Sequence, residues 1–343
     1  TTEIYTLSLH DALPISGKAA ADMKAQSVPM VDATGTRMLL EEWSGAKSAW
    51  ADSHVVPQLL HELFEAQVAA TPDAIARSFG EDDSIEACPR WTYSEVDALA
   101  EEVAESLLRL GVGPDVVVGV CTGHRPEYIW TILGILKAGG AFMPIGTSLP
   151  PARVAELLRP ARCTIVVCSR DSTNASLLPG IGGPTELGAT AILCPATSGN
   201  ATAALRLAGS RRAARKHIPK VDSQHLAYVL ATSGSTGIPK LISIIAYSIA
   251  RYISSWAAVY YNSSPRTLLS CSIFFDPSVK LIFSTLITGG LLVIPDCHLG
   301  DVEILWRTID TMSVSHLFFV PSIFLQFARK PLPESLIHVT VGG

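Results

Sequence analysis

The chain has 343 residues, of which 48% are hydrophobic and 17% charged, with a formal net charge of −5 at pH 7. This composition is typical of one large or two smaller globular domains, and it excludes an intrinsically disordered chain. The negative charge and the lack of a lysine/arginine block disfavour a nucleic-acid-binding surface. No apolar run reaches the roughly 20 residues that a membrane-spanning helix needs.

The cysteine pattern bears on compartment and metal binding. Seven cysteines occur, with no Cys-x-x-Cys pair and no histidines at ligand spacing. We therefore expect free thiols, a reducing and hence cytoplasmic location, and no metal site.

The first 57 residues do not fit the pattern of the rest. Residues 1–16 resemble the translation of a sequencing adapter, and we exclude them from the fold prediction. A signal peptide is the alternative, but Glu3, His10 and Asp11 interrupt any apolar core. Residues 17–57 are polar and predict a linker with a short helix. The core domain is expected at 58–343.

Helical and strand patterns alternate from residue 60 onward. Apolar residues on one face predict a helix at 60–72. Thr92 and Glu95 have capping-box spacing before a helix that ends at Gly111, and Pro126 opens another helix. Further helices are predicted at 152–158, 247–259, 279–287, 302–312 and 322–328, and strands at 116–121, 141–145, 163–168, 226–230, 241–246, 268–272, 291–295, 316–320 and 336–341. This alternation predicts an α/β fold of mostly parallel sheets flanked by helices. The region 170–224, rich in Ala, Gly, Ser and Thr, predicts a long variable surface loop.

The stretch 226–240, LAYVLATSGSTGIPK, organises the functional prediction. An apolar run ends in a loop with four hydroxyls, two glycines and then Lys240. Glycines allow a close backbone approach, backbone amides in such a turn bind anions, and the lysine adds a positive charge. The loop therefore predicts a phosphate site, although it lacks the P-loop pattern. A Ser/Gly-rich surface linker is the alternative.

The nine residues 232–240 resemble throughout the phosphate-binding signature of the adenylate-forming superfamily. Its members include acyl-CoA synthetases and the adenylation domains of nonribosomal peptide synthetases, which use ATP to convert a carboxylate into an acyl-adenylate and release pyrophosphate. The resemblance implies the large N-terminal adenylation core of this fold, and it implies ATP, magnesium and a phosphopantetheine carrier as cofactors. The phosphate-binding residues would be Thr232, Ser233, Gly234, Ser235, Thr236, Gly237 and Lys240, and the base region would include Gly342 and Gly343.

Two further resemblances favour a peptide synthetase. Residues 32–72 are similar to the connector between condensation and adenylation domains, which implies condensation and carrier domains of the same polypeptide as partners. Phe275-Asp276-Pro277-Ser278 resembles the motif whose Asp binds the substrate α-amino group. A helix N-cap is the alternative role for Asp276.

The resemblance also implies a substrate pocket. The residues of this sequence that match the family's pocket positions are Asp276, Pro277, Lys280, Phe318, Thr340 and Gly342. A lysine in such a pocket favours an acidic group, but Lys280 could also extend to the surface from its helix, and the pattern favours the surface position. The simplest alternative roles are a core aromatic for Phe318 and a strand residue for Thr340.

Several elements of the family are not found before residue 343. These are the segment whose Glu holds magnesium, the ribose-binding Asp and the lid with its catalytic lysine, so no catalytic residue is assigned and we expect an incomplete, truncated core that forms adenylate slowly or not at all. The alternatives are an acyl-CoA ligase, a stand-alone enzyme activating a β-alanine-like amino acid, and a degenerate nucleotide-binding module.

Overall fold

The computed structural model describes residues 59–79, 89–169, 190–194, 221–232, 239–261, 264–295 and 299–342. They belong to one compact unit that begins at Pro57. The helices are α1 Leu60–Ala70, α2 Tyr93–Arg109, α3 Pro126–Lys137, α4 Pro151–Leu158, α5 Ala246–Tyr260, α6 Asp276–Leu286, α7 Val302–Thr311 and α8 Pro321–Phe327. The strands are β1 Ile75–Phe79, β2 Arg90–Thr92, β3 Val117–Cys121, β4 Ala141–Pro144, β5 Ile165–Cys168, β6 Thr190–Leu193, β7 Leu226–Thr232, β8 Lys240–Ile245, β9 Arg266–Leu268, β10 Leu291–Ile294, β11 His316–Phe319 and β12 His338–Val341.

The strands form two six-stranded sheets. One has the order β12-β11-β9-β10-β1-β2 and the other the order β6-β5-β3-β4-β7-β8. Neighbours are parallel except at one edge of each sheet, where β2 pairs antiparallel with β1 and β8 pairs antiparallel with β7. The predicted α/β fold of mostly parallel sheets is confirmed.

Local sequence signals set several helix boundaries. The Thr92 hydroxyl accepts a hydrogen bond from the Glu95 amide at 3.2 Å, and the Glu95 carboxylate accepts one from the Thr92 amide at 2.8 Å. This completes the predicted capping box of α2. Gly111 follows the helix with a φ of 83°, a conformation that glycine adopts without strain. Pro126 is the first residue of α3, as predicted.

A shared hydrophobic core joins helices and strands of both sheets. Helix α3 is buried on nearly every side, which is typical of a helix that is apolar all round. The Tyr93 hydroxyl at the start of α2 donates to the carbonyl of Gly290 at 2.9 Å, and the Tyr93 ring stacks on Phe64 with 5.8 Å between centroids. These contacts join α1 and α2 to the segment that enters β10.

A buried lysine links the first three helices. The Nζ atom of Lys137, at the end of α3, lies 2.5 Å from Glu65 Oε1, 2.6 Å from Asp97 Oδ1 and 2.7 Å from Glu101 Oε1. Glu65 lies on α1, and the other two carboxylates lie on α2. We call these four residues the Lys137 cluster.

Three strands were not predicted. The short strands β1 and β2 precede α2, and β6 lies inside the region 170–224 that was predicted to be loop. β6 pairs in parallel register with β5, with Cys168 opposite Leu193. The loop prediction is therefore wrong for residues 190–193, because four residues of ordinary strand propensity extend a preformed sheet edge without a strong pattern of their own.

Within the described ranges, no helix combines the length and the apolar character that crossing a bilayer requires.

Candidate functional site

The predicted phosphate loop lies between two antiparallel strands. Thr232 ends β7 and Lys240 begins β8, and the two residues are paired in register. The Thr232 hydroxyl donates to the Lys240 carbonyl at 3.3 Å, and both residues are exposed. Because β7 is parallel to β4, Thr232 lies at the carboxyl edge of the sheet, where α/β folds bind ligands. Ser233, Gly234, Ser235, Thr236 and Gly237 lie outside the described residues.

A cavity of about 400 Å³ opens beside the same pair of strands. This volume is within the usual range of small-molecule sites. It is lined by one residue each of β7 and β8, three of α5 and three of α6, namely Tyr228, Ile244, Ser248, Ile249, Tyr252, Asp276, Pro277 and Lys280. We call this the α5–α6 cavity. It brings together three of the residues predicted to bind substrate.

Asp276 lies in the first turn of α6 and does not cap it. The N-cap residue is Phe275, and no side chain caps this helix end. The alternative prediction of Asp276 as N-cap is therefore wrong, because the helix begins one residue earlier than Pro277 and includes Asp276. The Asp276 side chain is exposed at the cavity wall and forms no hydrogen bond or ion pair with any other residue that the structure describes. Its carboxylate is thus available to a ligand.

Lys280 is buried rather than exposed. Its relative exposure is 6%, so the predicted surface position is wrong. The side chain folds toward aromatic residues: Nζ lies 3.9 Å from the ring centroid of Trp256 and 5.4 Å from that of Phe318. Burial lowers the pKa of this lysine, while Cys271 and Asp276 act in the opposite direction. The aromatic faces of α5 and β11 hold the ammonium inside, which the helical pattern of α6 alone did not indicate.

The remaining predicted pocket residues lie on β11, on β12 and just past β12. Phe318 is buried and pairs in register with Thr340. A Cβ atom at Gly342 would lie 3.5 Å from the Phe318 ring, so these three residues are neighbours. Lys280 contacts this group through Phe318 and also lines the α5–α6 cavity, so it joins the two parts of the predicted pocket. Gly343 lies outside the described residues.

An aromatic and imidazole group that the sequence patterns did not predict lies next to Lys280. The rings of Trp256 and Tyr260 lie 4.3 Å apart, and Tyr260 lies 4.7 Å from His338. The Nε2 atom of His338 lies 3.0 Å from the hydroxyl of Thr340. Burial lowers the pKa of His338 to about 4, with further lowering from His316 and Lys280.

Two signals could have revealed this group. Tyr252, Trp256 and Tyr260 recur every four residues, which places them on one helical face. His338 precedes Thr340 by two residues, so both side chains leave the same face of β12.

Elsewhere in the described chain, Glu65, Asp97 and Glu101 place carboxylate oxygens within 4.8 Å of one another. Such a group could hold a metal ion, but the Lys137 ammonium already lies among its oxygens. The donor set therefore does not fit magnesium.

Residues 64–343 match the family described as AMP-binding enzyme. Malpinin synthetase of Mortierella alpina is 30% identical over 295 residues, which is 85% of this chain and 4% of that protein. Tyrocidine synthase 3 of Brevibacillus parabrevis is 33% identical over 300 residues, again 85% of this chain and 4% of that protein. The chain thus spans about one twenty-fifth of the length of these relatives.

Among solved structures, the crystal structure of the nonribosomal peptide synthetase FmoA3 superposes with a TM-score of 0.65. The two chains are 25% identical, and the match covers 81% of this chain and 27% of FmoA3. Sequence and structure comparisons therefore point to the same kind of protein.

Proposed function

Because the chain belongs to the AMP-binding enzyme family, whose members form adenylates, we propose that it takes part in activating an amino acid for nonribosomal peptide synthesis. In this reaction a carboxylate oxygen of the amino acid attacks the α-phosphorus of ATP. The bond from that phosphorus to the pyrophosphate oxygen breaks, so that aminoacyl-AMP forms and pyrophosphate leaves. The aminoacyl group then passes to the phosphopantetheine thiol of a carrier domain, and AMP is released.

This proposal rests on one observation: the predicted phosphate loop and the α5–α6 cavity adjoin the same two strands, β7 and β8. Thr232 and Lys240 flank the predicted loop, while Tyr228 and Ile244 of the same strands line the cavity. Thr232 lies four positions beyond Tyr228 on β7, which is about 13 Å along the strand. This spacing suits a substrate in the cavity and a nucleotide at the hairpin end.

The available carboxylate of Asp276 supports an amine-bearing substrate. An exposed carboxylate at the wall of a partly apolar cavity can accept a charge-assisted hydrogen bond from an α-ammonium group. A fatty acid would leave it without a partner, so Asp276 favours amino acid activation over acyl-CoA synthesis. Thr232, Ser233, Gly234, Ser235, Thr236, Gly237 and Lys240 are proposed to hold the phosphates, and Gly342 and Gly343 to lie near the base.

Magnesium supplies charge neutralisation at the phosphates in reactions of this kind. The carboxylates of the Lys137 cluster do not fit it, as their oxygens already hold an ammonium. We assign no described residue to magnesium and derive no step through it. A carrier domain and a condensation domain of the same polypeptide are the proposed partners.

The test is amino-acid-dependent exchange of pyrophosphate into ATP, measured on the complete product of the gene. We expect exchange that requires an amino acid and that falls by at least about tenfold in Lys240→Ala and Gly234→Val, because both changes disturb phosphate binding. Lys330→Ala, a surface lysine paired with Glu303, is the matched control and keeps full activity. Unchanged exchange in both loop variants would contradict the phosphate assignment.

A second measurement tests the amine site. Asp276→Asn keeps the shape of the side chain and removes its charge, so the KM for the amino acid rises by at least about tenfold while the KM for ATP changes little. Activation of fatty acids with no response to Asp276→Asn would replace this proposal by the acyl-CoA ligase alternative. Nucleotide binding without any exchange would favour a degenerate binding module.

A further inference from the structure

Lys280 is a buried cation with no carboxylate at ion-pair distance among the residues that the structure describes. It is 6% exposed, and its ammonium nitrogen lies 3.9 Å from the centroid of the Trp256 ring. It forms no ion pair with any carboxylate in the described part of the chain. A cation–π contact replaces only part of the hydration that a buried ammonium gives up. The site therefore retains a demand for negative charge.

The thiol, phenol and imidazole groups around Lys280 do not supply this negative charge. Burial raises the pKa of Cys271 to about 12, so its thiol stays neutral. Burial also raises the pKa of Tyr228, and it lowers the pKa of His338 to about 4, so both rings are uncharged near neutral pH. The carboxylate that acts on Lys280 is Asp276, at the cavity wall. In the proposed function, that carboxylate is taken by the substrate amine.

The two charged residues lie in a fixed arrangement. Asp276 and Lys280 are four residues apart on α6, so both point from one helical face, about 6 Å apart along the axis. Both line the α5–α6 cavity, with Asp276 exposed and Lys280 buried. A ligand entering past Asp276 therefore meets a negative charge first and a positive charge deeper in.

We propose that the activated amino acid carries an acidic side chain, a carboxylate on a short aliphatic stem, and that Lys280 is its counter-ion. This inference rests on the proposed function and names the substrate class of the same site. The α-ammonium of the substrate pairs with Asp276. The side-chain carboxylate pairs with the Lys280 ammonium, whose lost hydration the Trp256 ring replaces only in part. The substrate thus satisfies both charges of α6 at once.

Substrates with other side chains are expected to bind this pocket less well. A cationic side chain meets the like charge of Lys280, while an apolar one leaves the ammonium buried without an anion. An amide has the shape of the acid but not its charge. A site whose buried polar group is left unpaired rejects the wrong substrate strongly, so the acid should be separated even from its amide isostere.

The test is pyrophosphate exchange by the complete gene product with matched substrates. The panel contains L-glutamate and L-aspartate, their amides L-glutamine and L-asparagine, and L-leucine, L-lysine and β-alanine. We expect one of the two acids to have the highest kcat/KM, at least about tenfold above its amide. A higher kcat/KM for an amide, for leucine, for lysine or for β-alanine would overturn the inference and leave the proposed function standing. Failure of every amino acid would overturn the proposed function itself.

Variants of Lys280 give an independent readout. In Lys280→Met the preference for acid over amide disappears, because kcat/KM falls for the acid and changes little for the amide. Lys280→Arg keeps the charge and retains part of the preference. Lys330→Met, at an exposed lysine, is the control. A preference for acid that survives Lys280→Met would assign the counter-ion to another residue. The substrate panel of the unaltered protein decides the question even if a variant does not fold.

Discussion

Lys137 and Lys280 are buried to a similar degree but have opposite surroundings. Their relative exposures are 1% and 6%, and both lie on helices whose apolar residues belong to the largest hydrophobic cluster. Lys137 lies within 2.7 Å of three carboxylates. Lys280 instead faces the rings of Trp256 and Phe318. The first lysine is fully neutralised by its own chain, and the second has a positive charge left for a ligand.

Relative to the usual value of 10.5, the pKa of Lys137 is raised and the pKa of Lys280 is lowered. Burial lowers both, but at Lys137 the charges of Asp97, Glu101 and Glu65 outweigh burial, and the pKa is raised. At Lys280 burial prevails over Cys271 and Asp276, and the pKa is lowered. The ion pairs of Lys137 thus stabilise the fold, whereas burial of the Lys280 ammonium destabilises it. Retaining a costly buried charge is typical of a functional site.

The largest expected effect comes from removing the charge of Lys137. Lys137→Met leaves three carboxylates close together with little exposure, so we expect the free energy of unfolding to fall by about 3–5 kcal/mol at pH 7. Lys280→Met removes a desolvated charge together with a cation–π contact, and the change is expected within about 1 kcal/mol. Urea unfolding monitored by circular dichroism measures both. An equal loss in the two variants would contradict the distinction between a structural and a ligand-binding lysine.

The pH dependence of stability should differ in sign between the two lysines. The raised pKa of Lys137 gives stability that is fully present below the usual value of 10.5 and is lost as pH rises through the folded-state pKa. The lowered pKa of Lys280 means that the unfolded chain binds more protons between the folded-state pKa and 10.5, so stability rises with pH in that window.

The contribution of each lysine is the difference between the unaltered protein and its Met variant. We expect slopes of at most about 1.4 kcal/mol per pH unit for one group. Urea unfolding at several alkaline pH values gives both curves. Two slopes of the same sign would show that one of the two lysines is placed wrongly.

The difference between the lysines also shows what the sequence could reveal. The α/β fold and the start of α2 could be predicted, because capping and alternation are encoded by neighbouring residues. The Lys137 cluster could not, since Glu65 and Lys137 are 72 positions apart and no local pattern joins them. β6 was missed for a similar reason, as it depends on pairing with β5 rather than on its own propensity.

The candidate site was predictable only as far as its motifs extend. Asp276, Pro277 and Lys280 were found by motif, and the structure places them around one cavity. The depth of Lys280 was predicted wrongly, because Trp256 on another helix decides it. His338 was missed because the strand pattern gave no chemical reason to single it out. The phosphate-binding role of residues 232–237 and of Lys240 stays a prediction.

Removing one carboxylate tests whether the three acids of the Lys137 cluster neutralise the lysine together. Glu101→Gln eliminates one charge-assisted contact but also relieves repulsion among three acids, so we expect a loss of about 1 kcal/mol in unfolding free energy. Glu102→Gln, at the next and less buried position of α2, is the matched control and should stay within about 0.5 kcal/mol. A loss as large as that of Lys137→Met would mean that Glu101 alone, rather than the group of three, neutralises the lysine.

The smallest expected effect concerns His338, which senses the charge of Lys280 directly. Burial is the main cause of its low pKa of about 4, and His316 and Lys280 add to it by repulsion of like charge. In Lys280→Met the repulsion from the lysine is gone while burial and His316 remain. The pKa of His338 should therefore rise by less than about one unit and stay below its usual 6.5.

An NMR titration of the imidazole carbon–proton signals measures this pKa. Lys330→Met removes a lysine from the surface, beside Trp306, and is expected to leave the titration of His338 unchanged. If His338 titrates identically with and without Lys280, the ammonium does not lie among Trp256, Phe318 and His338. It would then have to be sought at the surface, where the helical pattern first placed it, and the cavity would lose the charge that selects an acidic substrate.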